Sequence, residues 1–381
     1  MNRRLTVTFA VACGLAAGNL YYAQPLLGAI GHDLGTGAEK TSLIVTLTQL
    51  GYALGLLLLV PLGDLYENRG LIRRVLWLTT LALLGASWAP NFTLFALASL
   101  TIGFTSVVAQ VLVPFAAHLA PAAERGRVVG QVMSGLLIGV LLARAISGVV
   151  AEAWGWRNVF RLSAVLLVLL NFWLGVILPL HRPATRLTYK QLLGSLGRIF
   201  IAYEPLRRRA LYQVAMFGSF SAFWTGLTFW LSAPPWNYGQ GAIGRFALVG
   251  AVGALSAPWF GRQGDAGRGR ALSGLCLLGA PAGFAMTLVG TLPAVIVGTL
   301  LLDACVQGTL VLGQQVIYQL DPDQRSRINT LYIASFFLGG AIASALAGLA
   351  FAHWGWPGVV ALGCALPVSG FLYWLSEKKS V

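Results

Sequence analysis

Two ionisable side chains, Arg144 and Asp303, stand inside long apolar stretches of the sequence. Arg144 lies within the apolar segment 127–151, and Asp303 lies within the segment 293–318. A charge inside a membrane span costs at least about 2.5–3.5 kcal/mol, so such residues are functional candidates. Apolar surroundings favour the protonated form of a carboxyl group, whereas a neighbouring guanidinium favours the ionised form. An acid that moves between these two settings binds and releases a proton, so these residue types predict proton transfer coupled to movement.

Residue types that serve catalysis or bind metal ions show no comparable pattern. The four cysteines lie in apolar stretches without a C-x-x-C spacing, and the four histidines lack both a metal-ligand spacing and a nucleophile partner. The sequence also lacks a Walker motif and a nucleophile elbow. We therefore expect a protein that is not an enzyme, with no metal site and no cofactor. The residues concerned are Cys13, Cys276, Cys305, Cys364, His32, His118, His181 and His353.

The elements that position Arg144 and Asp303 follow from the composition. Of 381 residues, 57% are hydrophobic and only 10% are charged. A soluble domain carries more charge, and a disordered chain is less hydrophobic. Because only helices or closed barrels satisfy the backbone in lipid, the long apolar runs predict an all-α polytopic membrane protein with twelve transmembrane helices. The apolar segments are 5–29, 42–63, 74–89, 92–118, 127–151, 156–180, 209–232, 243–262, 271–290, 293–318, 328–352 and 356–375.

The basic residues indicate the orientation of these spans. The net charge is +14, and with both termini in the cytoplasm, 21 of the 26 Lys and Arg residues fall in cytoplasmic segments. Such a distribution obeys the positive-inside rule, so we predict a multi-pass protein of the cell inner (plasma) membrane with both termini cytoplasmic. The basic excess then follows from topology, and its expected contact is anionic membrane lipid rather than nucleic acid.

The sequence repeats itself at an offset of 200 residues. Trp154-Gly155-Trp156 matches Trp354-Gly355-Trp356, and nine of the 32 positions in 125–156 are identical to their counterparts. Chance would give roughly two or three. We therefore predict two six-helix bundles in the same orientation, 1–180 and 209–381, joined by the basic cytoplasmic linker 181–208. Parallel repeats are typical of transporters that alternate access to a site near the membrane midplane.

A shared motif follows the second span of each half. The first copy runs from Pro61 to Arg69 and the second from Gly261 to Arg270. Both resemble the loop signature between spans 2 and 3 of the major facilitator superfamily, and the resemblance covers essentially the whole chain. The segments 19–25 and 142–148 resemble the drug and sugar efflux branch of proton antiporters. Ser99 stands where that branch has an arginine in span 4, so proton coupling is assigned to Asp303 instead.

The resemblance implies a gating role for the charged residues of the two loops. The acids Asp64 and Asp265 are each expected to face the first turn of a span in the opposite half, near Arg327 and Arg127 respectively, where the helix dipole favours an acid. Such contacts would latch the halves on the inside and break during transport; the alternative is a solvated loop carboxylate. The other residues assigned to this loop are Arg69, Arg73 and Arg270.

The resemblance also implies that spans 5 and 10, from opposite halves, approach one another. Arg144 and Asp303 lie on the outer side of their span midpoints, within about 5 Å of each other in depth at 1.5 Å per residue. We therefore predict that the two side chains interact in one state and part in another. In the alternative interpretation, Arg144 bonds carbonyl groups at a span end and Asp303 caps a polar kink.

Substrate contacts are expected mainly on spans 1, 4, 7 and 10, which line the cavity in this superfamily. Amides and aromatic rings there form an amphipathic lining that suits a neutral or cationic, partly apolar molecule. It suits a phosphate or dicarboxylate poorly, because Arg144 is the only cation within a span. Any of these side chains could instead face a neighbouring helix or lipid. The residues are Asn19, Tyr22, Gln24, Gln110, Trp224 and Gln307.

These features together predict a secondary active transporter that exports a small amphipathic compound, drug-like or sugar-like, in exchange for protons. The alternative is an importer or facilitator of a sugar, nucleoside or organic acid, because a fold by itself gives neither direction nor substrate. Since both halves lie in one chain, we expect a monomer whose partners are the substrate, protons and anionic lipid.

Overall fold

The structure is a computed structural model that describes residues 3–121, 124–182, 188–321 and 324–377, without the side chains of 251, 252 and 254. Residues 183–187 of the predicted linker, and the basic residues Lys378 and Lys379, lie outside these ranges. Within the described ranges the chain is helical and contains no β-strand, so the predicted all-α class is confirmed.

Fifteen α-helices make up most of the described ranges. Polar caps begin several of them: Glu67 accepts hydrogen bonds from the backbone N–H groups of Arg69 and Gly70, both at 2.7 Å, at the start of α4. In chain order the helices are α1 Arg3–Gly18, α2 Leu27–Asp33, α3 Ala38–Leu58, α4 Asn68–Trp88, α5 Phe92–Thr105, α6 Val108–Leu119, α7 Arg125–Trp154, α8 Trp156–Ile177, α9 Tyr189–Ala202, α10 Glu204–Ser232, α11 Gln240–Phe246, α12 Ala251–Gln263, α13 Gly269–Met286, α14 Leu292–Ile317 and α15 Arg325–Leu375.

These helices account for the twelve predicted spans. Nine helical stretches in the described ranges are long and apolar enough to cross a membrane. Two of them, Gln240–Val289 and Arg325–Leu375, contain 50 and 51 residues, so each holds two spans of about 20 residues. Span 1 is divided between α1 and α2 and is therefore not one of the nine. The long helix α15 turns at Gly355, where φ is +61°.

The chain forms two compact units that do not coincide with the two halves of the sequence. Unit 1 comprises Met1–Gly35, Leu47–Ser195 and Tyr238–Phe246, and unit 2 comprises Thr36–Thr46, Leu196–Asn237 and Ala247–Val381. Each unit thus contains most of one half and a short segment of the other. The boundary after Ser195 falls inside the segment 181–208, and the division into bundles at that segment stays a prediction.

Close contacts at glycines explain why each short segment packs in the unit that contains most of the other half of the sequence. In unit 1, a methyl group on Gly148 would lie 2.8 Å from the Cα atom of Gly244, so α11 packs directly on the backbone of α7. In unit 2, a methyl group on Gly348 would lie 2.5 Å from the Cβ atom of Ser42. The Thr46 and Ser344 hydroxyl groups are hydrogen-bonded there at 2.8 Å.

The 200-residue repeat is visible in backbone geometry. Gly155 and its counterpart Gly355 both adopt positive φ angles, +85° and +61°, at the connection between the last two spans of each half. A residue with a side chain rarely adopts such angles, because its Cβ atom would clash with the backbone. The shared conformation explains why glycine is repeated at 155 and 355.

Candidate functional site

Span 1 is broken near its middle. Helix α1 ends at Gly18, and i→i−3 hydrogen bonds such as Tyr21 N–H to Gly18 O at 3.0 Å carry the chain through a tight turn. The helix resumes after Pro25, which has no N–H group to continue an α-helical ladder. In transporters, discontinuous spans of this kind expose polar groups at the depth where substrates bind.

Arg144 lies against this break within unit 1. Its side chain is buried, and the guanidinium carbon lies 4.7 Å from the centroid of the Tyr21 ring, a cation–π geometry. The Ser147 hydroxyl donates a hydrogen bond to the Arg144 carbonyl at 3.1 Å, which belongs to the same turn of α7. The negative face of the Tyr21 ring therefore stabilises a positive charge within the span.

Two further residues extend this polar region. The Gln110 amide on α6 donates a hydrogen bond to the Tyr52 hydroxyl on α3 at 3.1 Å, and both residues belong to unit 1. We refer to Tyr21, Tyr52, Gln110 and Arg144 as the unit 1 polar cluster. Tyr52 was not among the predicted site residues, because span 2 was not counted among the cavity-lining spans.

Gln24 and Asn19 follow the break but have different surroundings. The Gln24 side chain is 2% exposed, and neither its Nε2 nor its Oε1 atom has a hydrogen-bond partner among the described residues. The Asn19 amide, in contrast, accepts from the Ser163 hydroxyl at 2.8 Å and donates to the Ala16 carbonyl at 3.3 Å. Asn19 thus binds a neighbouring helix, whereas Gln24 retains hydrogen-bonding capacity for a ligand or water.

Tyr22, another predicted cavity residue, faces a different space. It lines an apolar groove between α1, α7 and α8 together with Ser163 and Gly14. Its neighbour in sequence, Tyr21, contacts Arg144. Tyr21 therefore lies beside a buried charge, whereas Tyr22 lies in an apolar groove.

Asp303 occupies a narrow niche in unit 2. The carboxyl group is buried and accepts a hydrogen bond from the Trp224 indole N–H on α10 at 3.4 Å. A methyl group on Gly253 would lie 2.8 Å from the Asp303 Cβ atom, and one on Gly250 would meet the carboxylate itself. The structure thus brings together two predicted residues, Asp303 and Trp224. It also adds Gly250 and Gly253, which nothing in the sequence except their three-residue spacing marks as part of a site.

Aromatic rings continue from this niche along α10. The ring centroids of Trp224 and Phe220 are 6.3 Å apart, and those of Phe220 and Phe217 are 5.4 Å apart. Gln307 lies one turn after Asp303 on α14 and is half-buried. We refer to Asp303, Trp224, Gly250 and Gly253 as the unit 2 acid niche.

The arginines of the first loop motif bind the last span of their own half. Arg69 donates to the Leu178 carbonyl at 3.4 Å, and Arg73 donates to the Asn171 side chain at 3.1 Å. The Leu178 carbonyl follows the end of α8, where a cation is favoured by the helix dipole. These contacts anchor the loop within unit 1.

The second loop motif is anchored in the same manner within unit 2. Arg270 donates to the Glu377 carbonyl at 2.7 Å and lies over the Trp374 ring at 4.7 Å, at the end of α15. Asp265 accepts a hydrogen bond from Gln315 on α14 at 2.9 Å. The contacts predicted for Asp64 and Asp265 with the opposite half stay predictions, as does the interaction of Arg144 with Asp303.

Two histidines are close in space although they lie far apart in the sequence. The His118 and His181 ring centroids lie 4.3 Å apart in unit 1. Among the described residues there is no group of three His, Cys, Asp or Glu side chains with metal-binding geometry. The two residues lie 63 positions apart, and no spacing rule links such positions.

Comparison with known proteins shows the family to which this architecture belongs. The model of the Major Facilitator Superfamily matches residues 9–255. The uncharacterized transporter YgaY of Escherichia coli O157:H7 is 42% identical over 372 residues, which cover 97% of this chain and 94% of the relative. The probable transporter SCO4007 of Streptomyces coelicolor is 35% identical over 368 residues, which cover 95% of this chain and 85% of the relative. The chain belongs to the major facilitator superfamily.

The solved structures agree on the superfamily fold. A bacterial homolog of the human lysosomal transporter Spinster, in an inward-facing and occupied conformation, matches with a TM-score of 0.81 and 14% identity. The match covers 98% of this chain and 96% of that chain. The predicted superfamily and its twelve-span fold are therefore confirmed. As a superfamily member, the protein is a multi-pass membrane transporter for a small molecule and is not an enzyme.

The two clusters can now be assigned to the numbered spans of the superfamily fold. The unit 1 polar cluster lies on spans 1, 2, 4 and 5, and the unit 2 acid niche lies on spans 7, 8 and 10. In each cluster a buried ionisable side chain lies beside an aromatic ring, Arg144 beside Tyr21 and Asp303 beside Trp224.

Proposed function

We propose that the protein exports a small amphipathic compound across the bacterial inner membrane in exchange for protons. The observation that carries this proposal is the buried carboxyl group of Asp303 beside the Trp224 indole. A buried carboxyl group changes its protonation state when its surroundings change, and such acids form proton relays in pumps and transporters. The acid niche therefore supplies a candidate group for proton exchange.

Side chains within each unit support an amphipathic substrate. The aromatic run from Phe217 to Trp224 offers apolar faces, and the amides of Gln24 and Gln110 offer donors and acceptors. The charge of Arg144 already interacts with the Tyr21 ring, so the unit 1 polar cluster has little capacity for a dianion. A neutral or cationic, partly apolar compound, drug-like or sugar-like, satisfies these groups.

The proposed direction is export. The segments 19–25 and 142–148, which resemble the efflux branch, supply the break in span 1 and the Arg144 turn of α7. The alternative is an importer or facilitator of a sugar, nucleoside or organic acid, and the serine at position 99 favours it because the antiporter arginine is missing there.

The orientation, the contacts and the oligomeric state are also proposals. The strong cytoplasmic excess of Lys and Arg supports cytoplasmic termini and contact with anionic lipid. Two halves in one chain support a monomer, because the repeated architecture is complete without a second copy.

A dye-accumulation experiment tests export and coupling together. The protein would be expressed in a host that lacks its major efflux pumps, and accumulation of fluorescent cationic dyes would be followed with and without a protonophore. We expect lowered accumulation that disappears with the protonophore and with Asp303→Asn or Arg144→Ala. The matched control is Asp33→Asn, which removes an exposed acid paired with Arg157.

Each outcome of that experiment decides one point. Lowered accumulation that survives Asp303→Asn would retain export and refute the coupling residue. Raised accumulation in wild type that is absent in the empty host would refute export and support the importer. No effect on a broad panel of dyes would refute the amphipathic cation as substrate, and uptake of labelled sugars and nucleosides would then be measured.

A further inference from the structure

A long groove runs along the surface of unit 1 between α1, α7 and α8. Its volume is about 590 Å³. The α1 side carries Arg3, Val7 and Val11 at four-residue intervals, and the two valines are 54% and 51% exposed. On α7 the groove is lined by Ile138 and Leu142, which are also exposed. The walls are therefore aliphatic for most of their length.

Glycines explain why this face is a groove rather than a ridge. A methyl group on Gly14 would lie 2.7 Å from the Gly135 carbonyl oxygen, and one on Gly135 would lie 2.6 Å from the Cβ atom of Ala10. The backbones of α1 and α7 therefore touch, and no side chain fills the floor. Since Ala10 meets Gly135 and Gly14 meets Gly139, the two helices run in the same direction.

The polar residues of the groove lie towards its two ends, with Tyr22, Ser147 and Ser163 at the end away from Arg3. Arg3 lies at the end where both helices begin, and Gln131 on α7 is near that same end. The lipid site rests on the orientation proposed above from the positive-inside rule, in which this end is at the cytoplasmic surface. Val11 lies eight residues after Arg3, about 12 Å along the helix at 1.5 Å per residue. A single cation at the surface is thus followed by an aliphatic channel as deep as one leaflet.

We propose that this groove binds an anionic phospholipid of the inner leaflet, with its phosphate at Arg3 and one acyl chain between Val11 and Ile138. Charge complementarity selects the anionic headgroup, and the aliphatic walls select a chain rather than a polar solute. The site is separate from the unit 1 polar cluster, because Tyr21, Tyr52 and Gln110 do not line it. The proposal does not depend on what the protein transports.

Lipid binding to the purified full-length protein tests this proposal. Native mass spectrometry and thermal unfolding in detergent would compare phosphatidylglycerol, phosphatidylethanolamine with the same acyl chains, and inorganic phosphate. We expect phosphatidylglycerol alone to be retained and to raise the unfolding temperature. Arg3→Gln should weaken its retention about fivefold, the factor that corresponds to ~1 kcal/mol per basic residue. Val11→Trp or Ile138→Trp should fill the channel and weaken retention similarly.

Matched controls separate this site from general lipid effects. Arg4→Gln removes the adjacent exposed charge, and Leu81→Trp adds an indole to an exposed position on α4 outside the groove. Both controls should retain phosphatidylglycerol as wild type does. Equal binding of phosphatidylethanolamine or of phosphate alone would overturn the proposal, as would wild-type retention in Arg3→Gln and Val11→Trp. Loss of dye transport in Val11→Trp with unchanged lipid retention would make the groove a substrate path and would also overturn it.

Discussion

At the scale of single residues, Gln24 is the most informative side chain. A buried amide whose polar atoms lack partners lowers stability, typically by about 1–3 kcal/mol per group. Gln24 is nevertheless buried beside Pro25, and both of its polar atoms are without a hydrogen-bond partner in the described ranges. Such a residue is explained if its partner is a transported molecule, because the bond then forms only during the cycle.

Replacing Gln24 tests that explanation. In Gln24→Met, an unbranched apolar side chain of similar length replaces the amide, so the unfolding temperature should stay the same or rise while transport falls. The matched variant Gln110→Met removes the hydrogen bond to Tyr52 and should lower stability by about 0.5–1.5 kcal/mol. Thermal unfolding and dye efflux measured on both variants check the prediction. A Gln24→Met protein that unfolds earlier but transports normally would contradict it.

Trp224→Phe tests the acid niche at the same scale. The ring remains but the indole N–H that donates to Asp303 is lost, so the carboxyl group loses this hydrogen bond. Proton-driven dye efflux should therefore fall about tenfold, because a hydrogen bond to a charged group contributes about 1.5 kcal/mol. Efflux measured in everted vesicles checks this fall. Trp77→Phe, which alters a partly exposed indole on α4, should leave efflux unchanged, and a fall there would contradict the assignment.

Residue identity shows how much of the site the sequence could predict. Arg144 and Asp303 are candidates from the sequence because a charge within an apolar stretch is unusual whatever its neighbours are, and their functional roles stay predictions. Tyr52, Gly250 and the His118–His181 contact could not be found, because tyrosine, glycine and histidine at those positions are ordinary until the helices are packed. Their roles depend on contacts between residues distant in sequence.

At the scale of helices, close backbone contacts decide which segments belong together. Apolar length predicted every span, since a run of about 20 apolar residues in lipid must be helical. It did not predict that span 1 breaks at residues 19–23, nor that α11 packs on α7 in unit 1. The break depends on a proline and a local hydrogen-bond pattern, and the packing depends on glycines whose partners are far along the chain.

The contact between α7 and α11 yields a prediction for two glycines of one helix. Gly148→Ala would place a methyl group 2.5 Å from the Gln240 carbonyl oxygen, so α11 must shift, and overpacking of this kind costs about 1–3 kcal/mol. Gly130→Ala on the same helix has no neighbour within 4 Å and should leave stability unchanged or raise it by up to about 1 kcal/mol. Thermal unfolding of both variants checks the contrast. Equal effects would show that α11 does not pack on Gly148.

At the scale of the whole molecule, each compact unit includes a segment from the other half of the sequence. Thr36–Thr46 belongs to unit 2, and Tyr238–Phe246 belongs to unit 1. The 200-residue repeat predicted two equivalent halves, and the paired glycines at 155 and 355 agree with that. The exchange of segments could not be predicted, because apolar patterns do not identify packing partners.

Splitting the chain tests whether the exchange matters. Residues 1–187 and 188–381, produced separately, would each lack the segment that completes the unit. We expect each half alone to be degraded or to unfold early, and the two halves produced together to copurify and regain efflux. Protease sensitivity and copurification measure this outcome. Halves that are fully stable when produced alone would contradict the exchange, and intact chain carrying an equivalent tag serves as the control.

The two copies of the repeat differ at one buried position, 144 in the first half and 344 in the second. Arg144 and Ser344 occupy the same place in the two copies, yet one binds the Tyr21 ring while the other hydrogen-bonds Thr46. Two identical six-helix chains would have to carry the same residue at both places. A single chain that holds both copies has no such constraint, so one copy can carry a buried arginine while the other carries a small hydroxyl residue.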